Sequence, residues 1–278
     1  MGEDAENVAN KFIEDSRMKI TVSDIKFKPD RKVLQILKQN QTIGMLTDKT
    51  TKNVDELLKI TGGQSYAVKV RSDENECDIS SACYIESCEI ILADYNNNKL
   101  KRLDSHNYTI TDCYNLPGEP YQICKINETQ IAVALPSHQE IHFISVDRQM
   151  KTPNKIITDF NCFGLAYAND CLYISDEGTS LYIYTVTGRK LKQFSTDQSG
   201  QKLFFNILSL AVSEDATRIY VSAVDKGLIV LDNNGEIVTT FNDEQVQWAI
   251  YCHLTEAGGV LVSGYESIMF YSLHLMVR

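Results

Sequence analysis

The chain has 278 residues, of which 43% are hydrophobic and 23% are charged, a mixture typical of a globular protein rather than a disordered one. No apolar run approaches the ~20 residues that span a bilayer, and the first residues lack the basic and apolar regions of a secretory signal. The formal net charge is −10, and residues 79–278 carry a net of −9, which disfavours binding to a phosphate backbone. We therefore expect a cytoplasmic protein with no membrane contact, and the charge argues against a nucleic-acid partner without excluding a local basic patch.

The first part of the chain has helical character. Val8 and Phe12 lie four residues apart in a run of helix formers, so they share one helical face. Residues 31–40 form a second apolar helical run, and residues 47–63 are polar, rich in threonine and closed by two glycines. We interpret residues 1–63 as the end of a coiled coil followed by a linker. The N-terminal helix could then join two copies of the chain into a homo-oligomer.

From residue 64 onward, short β-rich runs alternate with polar turns. Five units recur, each an apolar strand with a small residue near its end, a polar turn and a second strand. The small residues are Ala93, Ala134, Ser175, Ser222 and Ser263, at intervals of 41, 41, 47 and 41 residues. A period near 40 residues with about four strands in each unit is typical of β-propeller blades. Residues 64–278 are therefore predicted to form an all-β propeller with five recognisable blades, whose small residues let the inner strands converge on a channel.

Residues 66–71 precede the first unit and alternate like a strand. Their position before the first blade suits a strand that pairs with chain-terminal residues and closes the ring. The sequence therefore predicts an outer strand over residues 66–71.

One unit carries a family resemblance. The sequence LADYNNNKLKRLD resembles the NHL repeat through Ala93, Asp94, Asn98, Leu100 and Leu103, with Lys99 in the basic position. Two later units, VSAVDKGLIVLDNNGEIV and ISDEGTSLYIYTVTGRKL, follow the same outline without the asparagine and the basic residue. Residues 20–278 as a whole resemble the end of the coiled coil, the linker and the propeller of tripartite-motif proteins, particularly the invertebrate members.

The resemblance implies a six-bladed propeller that recruits a protein for a ubiquitin-ligase-type assembly. The chain departs from the family because no RING or B-box cysteine and histidine cluster is present. Ligase chemistry is therefore not expected in this chain. Only five blade signatures are found, so either the sixth blade is missing or incomplete, or the ring closes with five.

A propeller of this type could instead be an enzyme related to metal-dependent lactonases. Residues 163–184 resemble the matching stretch of those enzymes, but Phe163 stands where they usually place a metal-binding asparagine. Glu119 is a single carboxylate without partner ligands at the right spacing, and Asp94 and Asp176 suit turns at strand ends. We therefore expect no catalytic residues, no metal and no cofactor.

The histidine and cysteine patterns likewise predict no metal site. His138 and His142 lie four apart, but in a strand-like sequence without a third ligand nearby. The eight cysteines include no CxxC pair, and most lie in apolar runs. We expect them to be free thiols that behave as small buried hydrophobic residues.

What remains is a surface built by loops. In a propeller, the connection between the second and third strands lies on the same face as the segment that enters each blade. The predicted partner-binding residues on this face are Tyr95, Tyr121, His138, Glu177, Asp225 and Tyr265. Phe163 and Trp248 occur in the same loops and are expected to be core residues. The sequence thus favours a non-catalytic scaffold that binds a protein, with a degenerate lactonase-like enzyme and an RNA-binding NHL propeller as alternatives.

Overall fold

The computed structural model describes residues 66–85, 89–224, 226–242, 249–254, 260–264 and 271–273. The predicted helical region and linker, residues 1–63, lie outside these ranges. Within them the chain forms five antiparallel sheets, four of four strands and one of three. The prediction of an all-β propeller is confirmed, with four complete blades and a partial fifth. No helix in the described part of the chain has the length and apolar composition needed to cross a membrane.

The strands follow one another in chain order within each sheet. The first blade contains β1 (Ile79–Ile85), β2 (Glu89–Asp94), β3 (Lys99–Asp104) and β4 (Thr109–Asn115). The second contains β5 (Ile123–Asn127), β6 (Gln130–Leu135), β7 (Glu140–Ser145) and β8 (Lys151–Ile157). The third contains β9 (Cys162–Ala168), β10 (Cys171–Asp176), β11 (Leu181–Thr185) and β12 (Lys190–Phe194). The fourth contains β13 (Ile207–Val212), β14 (Arg218–Ala223), β15 (Gly227–Asp232) and β16 (Ile237–Phe241), and the fifth sheet contains β17 (Ala249–Leu254), β18 (Val260–Gly264) and β19 (Tyr271–Leu273).

The first strand of each sheet is the innermost. Strands β1, β5, β9, β13 and β17 lie side by side in chain order. The backbone N–H of Ile123 in β5 donates to Ser81 Oγ in β1 at 3.2 Å. Gln122 Nε2 donates to the carbonyl of Leu210 in the fourth blade at 3.3 Å. Because a single glutamine side chain joins the second blade to the fourth, the channel between the inner strands is narrow.

The hydrophobic core lies between the blades. In β6, Ile131 and Val133 pack towards the first blade, whereas Ala132 and Ala134 pack towards the third. Successive side chains of a strand point to opposite faces. A blade covered on both faces therefore needs an unbroken apolar run rather than an alternating one. This explains why the second strands read as continuous hydrophobic segments in the sequence.

The small residues of the repeat are buried as expected, but not on the innermost strand. Ala93, Ala134, Ser175 and Ser222 are inaccessible to solvent and lie on the second strands. Ser263 lies in β18, and its side chain is outside the described part of the chain. Ser175 Oγ accepts a hydrogen bond from the backbone N–H of Gly164 in β9, at 2.8 Å. Their small size thus serves contact with the neighbouring inner strand instead of lining the channel.

Residues 66–78, here called the entry segment, cover the face of the first blade that points away from the second. Val68 is buried in a cluster with Leu92 and Leu103 of that face. The prediction of an outer strand over residues 66–71 is wrong, because residues 66–70 have no regular secondary structure. The fifth sheet approaches the first blade elsewhere, where the Tyr251 hydroxyl donates to the carbonyl of Ser80 at 3.0 Å.

A glycine allows the third and fourth blades to pack closely. Gly235 has a φ of +85°, and a Cβ built there would overlap the ring of Phe194. We expect Gly235→Ala to lower the free energy of unfolding by about 3 kcal/mol, through left-handed strain and overpacking together. Gly200 is a matched control, because its φ is +82° and a Cβ at that position would meet nothing within 4 Å. Gly200→Ala should cost about 1 kcal/mol in the same urea titration, and an equal loss in both variants would contradict the packing argument.

Candidate functional site

The upper face of the propeller is the end at which each blade begins and its second strand turns into its third. In the first blade, Ile79 at the start of β1 lies opposite Asp94 at the end of β2. In the third blade, Cys162 and Asp176 have the same relation. The entry and second-to-third-strand loops of these blades therefore lie at one end of the molecule.

Two of these loops are short 3-10 turns. They comprise Tyr95–Asn97 in the first blade and Pro136–His138 in the second. Each turn is followed by a residue in the left-handed region, Asn98 with φ 52° and Gln139 with φ 55°. The N–H of Asn98 donates to the carbonyl of Tyr95 at 3.3 Å, and the N–H of Gln139 donates to the carbonyl of Pro136 at 3.0 Å. These bonds close the turns and fix the direction of the side chains that they carry.

The predicted partner-binding residues divide into those that the structure describes and those outside it. Tyr95, Tyr121 and Glu177 are half-buried, and His138 is exposed. Asp225 and Tyr265, with the neighbouring Trp248, lie outside the described residues.

Phe163 is not the core residue that the sequence suggested. It lies at the start of β9 but is only half-buried. Its ring meets that of Tyr121 edge to face, with centroids 4.8 Å apart and planes at 74°. Edge-to-face packing is a favourable arrangement for two aromatic rings. The two rings therefore pack against each other at the junction of the second and third blades.

Contacts between loops make the upper face continuous from the first blade to the third. The backbone N–H of Tyr95 donates to the carbonyl of Asp78 at 2.7 Å. Ser80 Oγ donates to the carbonyl of Pro120 at 2.7 Å, which joins the entries of the first two blades. We call this surface the recognition strip. It comprises Asp78, Tyr95, Glu119, Tyr121, His138 and Phe163.

Glu119, Ser137 and His138 meet within the strip. Ser137 Oγ donates to Glu119 Oε2 at 2.8 Å and lies 3.1 Å from His138 Nδ1. Hydrogen bonds from its own backbone amide and from Ser137 hold the pKa of Glu119 below its usual range. A hydrolytic triad places the histidine between the serine and the acid. Here the serine lies in the middle, so the arrangement orders the strip and does not form a base-activated nucleophile.

The strip carries carboxylates without cationic partners. Among the described residues, no salt bridge involves Asp78 or Glu119 of the strip, or Glu177 of the loop between β10 and β11. Burial, together with the nearby charge of Asp94, raises the pKa of Asp78. The strip thus combines aromatic rings with uncompensated negative charge.

A second cluster of charges, which the sequence analysis missed, is buried beneath the entry segment. Lys101 Nζ lies 2.6 Å from Asp73 Oδ2 and 2.6 Å from Asp94 Oδ2, and all three side chains are inaccessible to solvent. Lys99 Nζ lies 2.8 Å from the other oxygen of Asp73. We call Asp73, Asp94, Lys99 and Lys101 the lysine cluster. It joins the entry segment to strands β2 and β3.

The charges of the lysine cluster stabilise one another. Burial opposes ionisation of Asp73, but the hydrogen bonds from Lys101 and Lys99 outweigh it and lower the pKa of Asp73 to about 2. Burial likewise opposes the charge of Lys101, but its bonds to Asp73 and Asp94 raise the pKa of Lys101 above its usual value. Both partners therefore remain ionised near neutral pH.

The same place holds a set of potential metal-ligating atoms. Asp73, Cys77 and Asp94 each offer one atom, and these atoms lie within 4.8 Å of one another. Lys101 Nζ donates to Cys77 Sγ at 3.1 Å as well as to both carboxylates. The ammonium therefore sits among these atoms and supplies the positive charge that an ion would otherwise bring.

A signal for the lysine cluster was present in the sequence. Lys99 and Lys101 alternate with Leu100 in a predicted strand of a fold in which both faces of each blade are covered. A buried lysine needs an acidic partner. The partner Asp73 was hidden because it lies 28 residues before Lys101, in a segment without repeat periodicity.

The two aspartates that were expected to form turns differ in their roles. Asp176 Oδ1 accepts hydrogen bonds from the backbone N–H groups of Gly178 and Ser180, both at 2.9 Å, so its turn role is confirmed. Asp94 Oδ1 accepts from the N–H of Asp78 at 3.1 Å, and its other oxygen binds Lys101. Asp94 Oδ2 also accepts from Asn97 Nδ2 of the following turn at 3.0 Å, so Asp94 has the expected turn role and a second role in the buried ion pairs.

The two histidines that lie four apart make separate contacts. His138 contacts Ser137 on the upper face, whereas His142 Nε2 lies 2.7 Å from Glu140 Oε2 in β7. Glu140 also binds Lys155, with Oε1 2.6 Å from Nζ. Within the part of the chain that the structure describes, the two histidines do not share a site with a third metal-ligating residue.

The seven described cysteines are free, in agreement with the predicted thiols. Cys162 and Cys252 are buried, and the others are half-buried. Burial raises the pKa of Cys83 to about 12 and that of Cys162 to about 11. A thiol with a raised pKa is a poor nucleophile at neutral pH. These two cysteines therefore have the character of packing residues.

Comparison with known proteins identifies the fold. A scan against protein-family models and a search of curated proteins find no match. Among solved structures, the chain is similar to glutaminyl cyclase of Myxococcus xanthus, with a TM-score of 0.53 and 12% identity over 70% of this chain and 89% of that one. It is also similar to hydrazine synthase of Kuenenia stuttgartiensis, with a TM-score of 0.55 and 10% identity over 71% of this chain and 58% of that one.

The chain thus spans less than two thirds of the hydrazine synthase chain. At 10% and 12% identity, both similarities show a shared β-propeller fold and nothing more about this chain.

Proposed function

We propose that this chain is a non-catalytic β-propeller scaffold that binds a protein partner on its upper face. The observation that carries the proposal is the recognition strip, in which fixed 3-10 turns and an aromatic pair form one continuous surface across three blades. Variable loops on a regular scaffold are a common way to build a binding surface. Tyrosine and other aromatic residues also dominate the energetics of protein interfaces.

The resemblance of residues 92–104 to an NHL repeat supports the same function. Under this proposal the propeller resembles the substrate-recruiting part of tripartite-motif proteins, works in the cytoplasm and uses the N-terminal helix for homo-oligomer formation. Ligase chemistry would then be supplied by another protein or by another part of the assembly.

Two alternative functions would require different residues on the upper face. A lactonase-like enzyme needs several metal ligands at the channel mouth, where Glu119 is held by Ser137 and Phe163 replaces a ligand. RNA binding needs basic groups, whereas Asp78 and Glu119 leave the strip negative. Calcium-dependent lactone hydrolysis would support the first, and a salt-dependent gel shift would support the second.

The partner-binding proposal predicts a large effect at Tyr95. We expect Tyr95→Ala to weaken partner binding about thirtyfold, which corresponds to about 2 kcal/mol for an anchoring tyrosine. Glu177→Ala should chiefly change the association rate and its dependence on salt. Both effects can be measured by surface plasmon resonance once a partner has been captured with the intact chain and identified.

The control replaces an exposed residue at the opposite end of the same blade. Asn107 lies in the turn between β3 and β4, where its Oδ1 accepts from the N–H of Thr109 at 3.0 Å. Asn107→Ala should leave partner affinity unchanged. Equal affinity of wild-type protein and the Tyr95→Ala variant would move the binding site away from the strip.

A further inference from the structure

The turn that carries Tyr95 is held from outside its own blade. Asn75 of the entry segment donates its N–H to Asn97 Oδ1 at 3.0 Å and its Nδ2 to the carbonyl of Asn96 at 2.9 Å. Asn96 Nδ2 donates back to the carbonyl of Glu76 at 3.1 Å. With the bond from Tyr95 to Asp78, every residue of the turn is bonded to the entry segment.

Bonds from within the first blade also reach the turn. The N–H of Asn98 donates to the carbonyl of Tyr95 at 3.3 Å, and Asn97 Nδ2 donates to Asp94 Oδ2 at 3.0 Å. The N–H of Leu116 donates to the carbonyl of Asn98 at 2.7 Å. In the second blade, the equivalent turn is bonded to Glu119 from the preceding connection, and Thr158 donates its N–H to Gln139 at 2.8 Å. In both blades, the connection after the fourth strand thus supports the residue that follows the turn. In the first blade, all three residues of the turn are also bonded to the entry segment that precedes the blade.

The entry segment also has a separate anchor. Asp73 binds Lys99 and Lys101 in the buried lysine cluster, two residues before the exposed Asn75. Exposed hydrogen bonds are individually weak, whereas a buried ion pair is costly to open. The segment is therefore expected to dock and undock as a unit, with the Tyr95 turn following its state.

We propose that the entry segment is a conformational coupling element, which positions Tyr95 in the recognition strip when docked and releases the turn when undocked. A change that draws residues before the propeller away from the first blade would thereby alter the upper face. The importance of this coupling for binding rests on the proposed function. The coupling itself does not, because it concerns the order of the turn.

Hydrogen–deuterium exchange of the full chain tests the coupling. Asn75→Ala removes an exposed side chain, and we expect the peptide that contains Tyr95 and Asn98 to exchange about fivefold faster. Asp73→Asn weakens the ion pairs with Lys99 and Lys101 that anchor the entry segment. Exchange of the same peptide should then rise on the order of a hundredfold. Asn107→Ala is the control in the same blade, and peptides of β10 and β11 report whether the fold has survived.

Wild-type exchange rates at Tyr95 and Asn98 in both variants would overturn the coupling, whatever happens to binding. Faster exchange with reduced partner affinity in the Asn75→Ala variant would support both the coupling and the proposed binding site. Faster exchange with unchanged affinity would support the coupling and remove Tyr95 from the proposed binding site.

Discussion

A chain that begins at Ile79 should have a free energy of unfolding about 5 kcal/mol lower than a chain that begins at Tyr66, because the entry segment completes the first blade. Val68 covers Leu92 and Leu103, and its removal returns that apolar surface to water. Loss of Asp73 also leaves Lys101 with one buried carboxylate instead of two. Since whole domains are stable by only about 5–15 kcal/mol, such a loss approaches complete unfolding.

Urea titration followed by circular dichroism measures this difference. The chain that begins at Tyr66 is the reference, and the full chain shows what residues 1–65 add. The shortened chain should unfold at a markedly lower urea concentration than the reference. Superimposable curves for the chains that begin at Tyr66 and Ile79 would show that the entry segment does not stabilise the propeller.

The second large effect is expected at Lys101. Lys101→Met would leave Asp94 in a buried site without its cation, and Asp73 with Lys99 as its remaining cationic partner. Removing one partner of a buried ion pair typically costs about 3–5 kcal/mol, because the remaining charge has lost its compensation. We expect a loss of this size in thermal or urea unfolding. A second change, Asp94→Asn in the same chain, should recover part of it by removing one of the two carboxylates.

Lys155→Met is the matched control. Lys155 Nζ lies 2.6 Å from Glu140 Oε1, the same separation as in the lysine cluster, but its side chain is 47% exposed. Exposed ion pairs contribute only about 0–1 kcal/mol. The two variants therefore compare pairs of equal length in different surroundings. Similar losses in both would mean that burial does not set the strength of the Lys101 pairs.

The propeller could be predicted because each blade requires the same residue types at equivalent positions. Ala93, Ala134, Ser175 and Ser222 occupy equivalent buried positions on the second strands, so packing demands the same small size at a regular interval. The turn at Asp176 could be predicted for a similar reason, since its bonds are local in the chain. Features that depend on residues close together in the chain, or on a packing position repeated in every blade, produce a recognisable pattern in the sequence.

The entry segment could not be predicted in this way. The alternating pattern over residues 66–71 shows that one face of this segment packs against the protein. It does not reveal whether the segment packs against the edge of a sheet or against the face of a blade. The bond between Asp73 and Lys101 likewise depends on how the segment lies across β3. Within the recognition strip, Tyr95, Tyr121 and His138 were found from loop positions, whereas Asp78 was missed because its bonds join separate loops.

The distribution of the core has a consequence for the order of folding during synthesis. Among the described residues, four of the five hydrophobic clusters are each shared by two neighbouring blades, from Ile91 with Ile131 near the start to Leu228 with Val260 near the end. A blade leaving the ribosome therefore exposes an apolar face until its successor has been made. Growth resembles the nearest-neighbour assembly of repeat proteins, in which every added unit completes the one before it. The entry segment is the exception, because it leaves the ribosome before the first blade and can shield the outer side of that blade as soon as it forms.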